Sequence, residues 1–304
     1  MKVAIFGQRF CGKTTVFSSL TGIEPPPGQA GKASIGTVKV PDGRLDRLAS
    51  IYEPKKKTQA EFVLLDVPSP QTGLLDTQTL SVLRTADVLT LVVRAFSSPM
   101  HDGPPHPRKE YLDVEQGLMI EDMAVVEKRL ERISKESAGR KTQEGALLER
   151  CLAHLDASRP LRTLELTEQE AKALKGYQLL SLKSLVVLVN TPEESPGLCP
   201  PELEQIARDH GASVMPLCAR AEAEIMQLEP DERKEFLADL GVETCASERY
   251  LRHAYESLGL ISFFTVGKDE CRAWTIRRGT VARRAAGAIH SDIERGFIRA
   301  EVVS

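Results

Sequence analysis

The sequence predicts an α/β protein in which helices flank a parallel sheet, with an inserted helical hairpin and a small β-grasp unit. Short apolar strands alternate with helical patterns through residues 1–112 and 178–260, which indicates a sheet-bearing domain. Long amphipathic helices interrupt that alternation at residues 113–177, and two strand-like runs with a helix occupy residues 261–304. A chain of 304 residues is long enough for these units.

The parallel sheet is predicted from short apolar runs that could be buried on both faces. Val38–Val40 adds an antiparallel edge strand, and helical patterns separate most of the other runs. The predicted parallel strands are Val3–Phe6, Glu61–Val67, Asp87–Val93, Leu185–Asn190 and Ala212–Leu217.

A coiled-coil-like hairpin is predicted for residues 113–177. The segment MIEDMAVVEKRLERI places apolar side chains three and four residues apart, and ALLERCLAHL repeats this spacing. The polar segment SKESAGRKTQEG links the two, so two antiparallel helices fit best. A third helix is expected after the capping box formed by Thr167 and Glu170.

Residues 261–304 predict part of a β-grasp domain. ISFFTVGKDECRAWTI predicts two strands around a turn, ARRAAGAIH predicts a helix, and GFIRAEVVS predicts a further strand. The segment is shorter than a complete β-grasp domain, so a truncated one is expected.

Composition sets the outer limits on function. The chain is 41% hydrophobic and 27% charged with a formal net charge of −3, values that are ordinary for a soluble globular protein. No apolar run approaches the roughly 18–20 residues that span a bilayer, and no signal peptide is expected. The six scattered cysteines argue against a disulfide framework or a zinc site. We therefore expect a cytoplasmic protein with no membrane partner. A monomer is a separate expectation that these totals do not decide.

The segment FGQRFCGKTT, residues 6–15, follows the first apolar run and matches the Gly-x-x-x-x-Gly-Lys-Thr pattern of a phosphate-binding loop. Gly7 and Gly12 permit the turn, and backbone N–H groups would surround the phosphates. Lys13 would reach the terminal phosphates, and the Thr14 hydroxyl would bind Mg²⁺. The predicted nucleotide-binding residues of this loop are Gly7, Arg9, Phe10, Cys11, Gly12, Lys13, Thr14 and Thr15.

Two further polar residues end predicted strands at the same edge of the sheet, where ligands bind in such folds. Asp66 is placed to hold Mg²⁺ through water. Asn190 opens the sequence Asn-Thr-Pro-Glu, where Asn-Lys-x-Asp would indicate guanine. Because that Lys is absent and the longer Glu193 replaces Asp, guanine selectivity should be lost and adenine is the better prediction.

These residues resemble the YchF/Obg-like ATPases, a family of P-loop NTPases of the translation-factor class with a C-terminal TGS domain. The resemblance implies an ATP-preferring, Mg²⁺-dependent hydrolase or switch, with GTP as the other nucleotide. It also implies association with ribosomes and RNA through a cleft between the hairpin and the TGS domain. The segments that carry it are VKVPDGRLDRLASIYEPKK, VEKRLERI, LCARAEAEI, FLADLG, AYESLGLISFFT and RAWTIRRGTVARRAAGAIHSDIERGFIRAEV.

The resemblance also implies roles for particular residues. Asn190 and Glu193 match the family's base-specificity motif, and Cys218-Ala219-Arg220 matches its base-binding loop. His101, in the Pro/Gly-rich stretch SPMHDGPPHP, matches the family's candidate for orienting the attacking water. A solvated loop histidine is the alternative.

The switch segments depart from the family pattern. The family carries Asp-x-Ala-Gly where this chain has Asp66-Val67-Pro68-Ser69, so a backbone N–H is lost and a stiffer switch is expected. Ala30 stands where the family has its metal-binding Thr, which leaves Ser34 as a nearby substitute. The predicted metal ligands are therefore Thr14, Asp66 and Ser34.

Two function classes stay open. One is a slow ATPase whose hydrolysis resets a ribosome-linked switch, and the other is a nucleotide-binding module that has lost turnover through its altered switches. A guanine-specific GTPase is disfavoured by Glu193.

Three groups of side chains outside this site are candidates for nucleic-acid contact. Lys55–Lys57 are expected in a solvated hairpin end, and Trp274, Phe263 and Phe264 are expected in the core. The best basic cluster is either an RNA or partner surface or a solubilising face, and it consists of Arg277, Arg278, Arg283 and Arg284.

Overall fold

The computed structural model describes residues 1–23, 33–70, 75–100, 103–136, 142–195, 197–239 and 244–300. The chain forms two compact units. The first contains Met1–Gly36 and Leu64–Ser247, and the second contains Thr37–Val63 and Glu248–Ser304.

The elements follow in chain order. The strands are β1 Lys2–Gly7, β2 Ser34–Val40, β3 Lys56–Thr58, β4 Ala60–Asp66, β5 Val88–Arg94, β6 Ser184–Asn190, β7 Ser213–Leu217, β8 Leu260–Thr265 and β9 Glu270–Arg277. The helices are α1 Lys13–Thr21, α2 Gly43–Tyr52, α3 Thr77–Thr85, α4 Pro107–Glu136, α5 Gln143–Asp156, α6 Glu168–Leu174, α7 Pro201–Asp209, α8 Ala219–Gln227, α9 Pro230–Asp239, α10 Ala246–Ser257, α11 Ala282–Ile289 and α12 Ser291–Arg295.

The main sheet has six strands in the order β2-β4-β1-β5-β6-β7. The β1–β5, β5–β6 and β6–β7 pairs are parallel, and every residue of β5 is buried. This confirms the predicted α/β class, and the predicted edge segment lies in the edge strand β2. Strand order reverses at β1, because β4 lies on one side of it and β5 on the other. Loops at the carboxyl end of β1 therefore open into the crevice where such sheets bind ligands.

The predicted helical hairpin is formed by α4 and α5, whose facing apolar side chains make a core of their own, including the fully buried Val126 and Leu148. Across the hairpin, Arg129 donates two hydrogen bonds of 2.9 Å to the carboxylate of Glu144. Helix α4 is 30 residues long, and its first turns pack on the sheet through residues such as Tyr111. The hairpin therefore extends a helix that is rooted in the sheet core.

The buried carboxylate of Asp122 anchors α4 to the segment that precedes β6. It accepts hydrogen bonds of 2.7 Å from the backbone N–H groups of Leu180 and Ser181 and from the Ser181 hydroxyl. The predicted capping box is also present, because Thr167 accepts from the N–H of Glu170 while the Glu170 side chain accepts from Thr167.

A three-stranded sheet in the order β3-β9-β8 forms in the second unit. Lys55–Lys57 were expected in a solvated hairpin end. All three are exposed, but β3 begins at Lys56 and runs parallel to β9. The lysines are ion-paired, because Lys55 lies 2.9 Å from Asp269, Lys56 lies 3.4 Å from Glu270, and Lys57 lies 2.7 Å from Asp46. Extended backbone and acidic neighbours, which are distant in sequence, explain the difference.

The C-terminal part follows the prediction through β8, β9 and α11. The described part of the next predicted strand, residues 296–300, forms no strand and follows the short helix α12 instead. Residues 301–304 lie outside the described chain, and the TGS-like assignment stays a prediction. Phe263 and Trp274 pair across β8 and β9 but are only half-buried, so they are less enclosed than the expected core positions.

None of the described helices has the length and apolar character needed to cross a membrane. None of the six cysteines forms a disulfide bond, and the described residues contain no cluster of side chains arranged as a protein-bound metal centre.

Candidate nucleotide-binding site

The loop between β1 and α1 has the geometry of an anion cradle. Gly12 is the N-cap of α1, and no side chain caps the helix there. The N–H groups of the first helical turn therefore have no partner within the helix, and the positive end of the helix dipole adds to their attraction for an anion.

The two predicted glycines are required by space and by conformation. A Cβ atom on Gly7 would lie 2.5 Å from the carbonyl oxygen of Val92 and 2.8 Å from the Cys11 sulfur. Gly12 has φ of +88°, and a Cβ atom there would overlap Nδ2 of Asn190. A larger residue at either position must displace backbone or a buried side chain.

The other loop residues differ in exposure. Arg9, Phe10 and Thr15 are exposed, and Phe10 adopts the left-handed conformation with φ of 60°. The guanidinium of Arg9 lies 5.5 Å from the Phe10 ring centre. Cys11 is buried, and this burial raises the pKa of its thiol to about 12. Cys11 is therefore a neutral packing residue.

The structure brings Lys13, Thr14 and Asp66 together. The Thr14 hydroxyl donates to Oδ2 of Asp66 at 3.1 Å, and the Lys13 ammonium lies 3.4 Å from Oδ1. Burial raises the pKa of Asp66, while the Lys13 charge and the Thr14 hydrogen bond oppose that rise. Oδ1 is buried and has no hydrogen-bond partner within the described chain. Hydroxyl and carboxylate oxygens are the ligands that Mg²⁺ prefers, so these residues fit the metal.

The third predicted metal ligand, Ser34, lies outside this hydrogen-bonded cluster. Ser34 is the half-buried first residue of β2, and within the described chain no hydrogen bond joins it to Thr14 or Asp66. Ala30 and His101 lie outside the described residues.

Asn190 connects the phosphate-binding loop to the predicted base-binding loop. Its Nδ2 donates to the carbonyl oxygen of Cys11 at 2.9 Å, and its Oδ1 accepts from the N–H of Ala219 at 3.0 Å. Asn190 and Ala219 are buried, so one side-chain amide fixes three segments that are far apart in sequence.

The predicted base-contacting residues lie at the ends of β6 and β7. Glu193 is exposed, and one of its carboxylate oxygens lies 3.2 Å from Nε of the exposed Arg220. Cys218 is buried beside Ala219. The Thr191 hydroxyl is also buried and has no hydrogen-bond partner among the described residues. The structure therefore joins Glu193 and Arg220, which come from the two predicted base-recognition segments.

The altered switch segment is attached to the phosphate-binding loop. The Ser69 hydroxyl donates to the carbonyl oxygen of Gly7 at 3.2 Å. The Thr79 hydroxyl, in α3, donates to the carbonyl oxygen of Pro68 at 3.4 Å. A glycine at position 69 could not make the first contact, so the Ser69 side chain supplies a tether that the family's Asp-x-Ala-Gly pattern lacks.

Sequence reasoning missed the buried pair of Arg94 and Glu110. Arg94 ends β5, its N–H donates to a Glu110 oxygen at 3.0 Å, and its guanidinium lies 3.8 Å from the same carboxylate. Arg94 also donates to the carbonyl oxygen of Phe96 at 2.8 Å. A charged residue at the end of a mostly apolar strand, at the edge that carries Asp66 and Asn190, was the available signal.

A strand, a glycine loop and a helix, with Lys and Thr facing an acidic residue at the end of the neighbouring strand, define a P-loop NTPase. The chain is 34% identical to the ribosome-binding ATPase YchF of Pasteurella multocida over 322 residues, covering 100% of this chain and 88% of that protein. It is 33% identical to the Bacillus subtilis protein of the same name over 325 residues, with the same coverage. The chain belongs to the YchF family.

A solved structure and a family model agree with this family assignment. The solved structure of the Schizosaccharomyces pombe YchF GTPase superposes with a TM-score of 0.87 at 28% identity, covering 98% of this chain and 86% of that one. The C-terminal family model YchF-GTPase_C, described as a protein of unknown function (DUF933), matches residues 260–304.

Proposed function

We propose that this chain binds ATP with Mg²⁺ and hydrolyses it slowly, as a switch whose nucleotide state is linked to the ribosome. The observation that carries the proposal is the position of the buried Asp66 beside Lys13 and Thr14 at the mouth of the glycine loop. Relatives named ribosome-binding ATPases support both the activity and the partner. They also support the cytoplasmic location that the sequence predicts.

Each residue of the loop has a defined task in this proposal. The first-turn N–H groups of α1 bind phosphate oxygens, and the Lys13 ammonium binds the terminal phosphates. Thr14 and Asp66 hold Mg²⁺, with Ser34 as the third proposed ligand. When bound, the metal neutralises negative charge on the phosphate oxygens. His101 remains the proposed residue that orients water, and its replacement by Ala should lower turnover while leaving ATP affinity intact.

The preference for ATP is proposed from Glu193 and its surroundings. A carboxylate at this position can accept a hydrogen bond from the exocyclic amino group of either adenine or guanine, so the length and position of the side chain decide between the bases. The side chain is longer than the Asp that guanine recognition uses, and the Lys of that motif is absent. Asn190, Cys218, Ala219 and Arg220 would shape the rest of the base pocket.

A second candidate function is a nucleotide-binding module with impaired hydrolysis. The bond from the Ser69 hydroxyl to Gly7 favours it, because a switch held to the loop by its own side chain is less free to approach a terminal phosphate. For either function we propose the three domains predicted from the sequence. They are a sheet-bearing domain of residues 1–112 and 178–260, a helical hairpin of residues 113–177, and a C-terminal domain of residues 261–304.

The test is calorimetric titration of the chain with ATP, GTP and their non-hydrolysable analogues plus Mg²⁺, with phosphate release followed on the same samples. Lys13→Ala should abolish both binding and release. Lys128→Ala, which removes an exposed lysine of α4, is the matched control and should change neither.

The outcomes separate the candidates. ATP binding with release that depends on Lys13 supports the ATPase. Tight ATP binding without release supports the binding module. A preference for GTP would contradict the role proposed for Glu193, and failure of both nucleotides to bind would refute the proposal as a whole.

A further inference from the structure

The phosphate-binding loop carries two positively charged side chains with different surroundings. The Lys13 side chain is only 11% exposed, and its ammonium lies 3.4 Å from Oδ1 of Asp66. Arg9 lies four residues earlier and is exposed, and its guanidinium forms no ion pair within the described chain. The loop therefore has one positive charge that already faces a carboxylate and one that is not neutralised.

The neighbouring Phe10 side chain supports the guanidinium of Arg9. The guanidinium carbon lies 5.5 Å from the centre of the Phe10 ring, which is within the range of a cation–π contact. The ring is 51% exposed, so burial in the core does not account for an aromatic residue here. Phe10 also has φ of 60°, a conformation that disfavours side chains other than glycine. Strained residues of this kind are concentrated at functional sites.

Hydrolysis of a nucleotide in this loop requires positive charge near the terminal phosphate. The water oxygen bonds to the terminal phosphorus as the bond from that phosphorus to the bridging oxygen breaks. The electron pair leaves with ADP, and the water proton passes to the released phosphate. Negative charge is spread over the phosphate oxygens in the transition state. A guanidinium can donate two parallel hydrogen bonds to such oxygens, which a lysine ammonium cannot do with the same geometry.

We propose that Arg9 is a catalytic arginine, whose guanidinium binds the terminal phosphate of ATP and stabilises the charge that develops there during hydrolysis. The inference rests on the ATPase function proposed above and gives the Arg9 side chain a role that the backbone N–H groups of the loop do not supply. Because Arg9 has no ion pair, contact with a phosphate would break no existing one. The ring of Phe10 would hold the guanidinium beside the loop until the nucleotide binds.

The experiment compares Arg9→Gln with the unmodified chain. Affinity for a non-hydrolysable ATP analogue should fall by about tenfold, because one charge-assisted contact is lost. Affinity for ADP, which lacks the terminal phosphate, should stay unchanged. Arginines that contact a transferred phosphate contribute about 10³- to 10⁵-fold to the rate. Since Arg9 is exposed and its charge is screened by solvent, single-turnover phosphate release should fall by a smaller factor of about tenfold to hundredfold.

Two further variants separate the guanidinium from its charge and from general damage. Arg9→Lys keeps the charge but loses the paired donors, so it should restore part of the rate. Arg208→Gln removes an exposed arginine of α7 and is the matched control, which should change neither affinity nor release. Thermal unfolding of each variant shows that it is folded.

Phe10→Leu tests the support from the ring. It keeps a Cβ atom at the same backbone position and removes the aromatic face. Release should fall less than in Arg9→Gln, and the double variant should be no slower than Arg9→Gln alone, because the ring acts through the arginine. Rate losses that simply add would refute this role of Phe10.

The outcomes distinguish this inference from the proposed nucleotide function. ATP binding and Lys13-dependent release that are unchanged in Arg9→Gln would refute the inference and leave the proposed function standing. Faster release in Arg9→Gln would also overturn it, because the side chain would then obstruct the reaction. Equal losses of affinity for ADP and the ATP analogue would refute contact with the terminal phosphate. An unmodified chain that binds ATP without releasing phosphate would refute the catalytic role, and failure to bind either nucleotide would refute both proposals.

Discussion

Nδ2 of Asn190 donates a 2.9 Å hydrogen bond to the carbonyl oxygen of Cys11, so the end of β6 is joined directly to the phosphate-binding loop. The same side chain accepts from Ala219 at 3.0 Å. The loop that would hold the phosphates and the loop that would hold the base are therefore positioned by one buried amide.

Asn190→Ala should loosen both loops at once. Each stranded polar group, the Cys11 carbonyl and the Ala219 N–H, should cost about 1–3 kcal/mol of unfolding free energy. Nucleotide affinity should fall as well, and denaturant unfolding together with ATP titration measures the two effects. A variant that binds ATP as tightly as the unmodified chain would show that the amide link is not needed for the site.

Gly12→Ala and Gly22→Ala form a matched pair at the two ends of α1. Both glycines have positive φ, but a Cβ atom at Gly22 meets nothing within 4 Å, whereas one at Gly12 meets Asn190. Gly22→Ala should cost about 1 kcal/mol of stability and keep ATP binding. Gly12→Ala should abolish ATP binding in the same titration. Equal effects of the two would mean that backbone strain alone, without the contact to Asn190, explains the result.

The double change Pro68→Ala and Ser69→Gly restores the sequence pattern expected of the family's switch. It removes the hydroxyl bond to Gly7 and returns an N–H group at position 68. Phosphate release should rise by about tenfold, equivalent to about 1.4 kcal/mol of barrier. Ser69→Ala alone separates loss of the tether from gain of glycine freedom. No change in single-turnover release would remove the switch as the cause of slow hydrolysis.

Asp122→Ala should be among the most destabilising single changes in the hairpin. It leaves two buried N–H groups, those of Leu180 and Ser181, without their acceptor. A loss of about 3 kcal/mol in the free energy of unfolding is expected from such stranded groups. Asp156→Ala, at an exposed position of α5, is the control and should change stability by less than about 0.5 kcal/mol.

The contact between the hairpin helices should weaken in acid through Glu144. Hydrogen bonds from Arg129 and Tyr177 lower the pKa of this carboxyl below its ordinary 4.5. Because the pKa of Glu144 is lower in the folded chain than in the unfolded one, its ionised carboxylate stabilises the fold fully above pH 4.5. This stabilisation is lost as the pH falls through the pKa of Glu144 in the folded chain. The difference in unfolding free energy between the unmodified chain and Glu144→Gln should therefore be constant near neutral pH and shrink in acid. A difference that grows in acid would contradict this sign.

Local sequence was sufficient for the parts of the site that lie at strand ends. Gly7, Asp66 and Asn190 each follow an apolar run, and parallel strands bring their carboxyl ends to one edge, so their proximity was predictable. The attachment of Ser69 to Gly7 was not, because it depends on the path of the chain after Asp66. Pairing of Arg94 with Glu110 required knowing where α4 begins.

The second unit shows why other expectations failed. Lys55–Lys57 have the composition of a solvated turn. The pairing of β3 with β9, and the contacts of Lys55 with Asp269 just before β9 and of Lys56 with Glu270 at its start, come from a segment far away in the chain. The half-buried state of Trp274 likewise depends on which segments cover that face of β9. The alternation of residues along a strand does not predict this. In both cases contacts between distant segments decide the outcome, and a single sequence carries little information about them.

The length of helix α4 would let a small change in its tilt move the tip of the hairpin by several ångströms. The helix runs without interruption from Glu110, which is bonded to the strand end next to the glycine loop, to the far end of the hairpin. At 1.5 Å per residue its 30 residues form a rod of about 45 Å. A tilt of about 5° at the base of such a rod would carry its tip through about 4 Å, by simple lever geometry. Ångström-scale rearrangements around Arg94 would thus be magnified at a point far from the nucleotide.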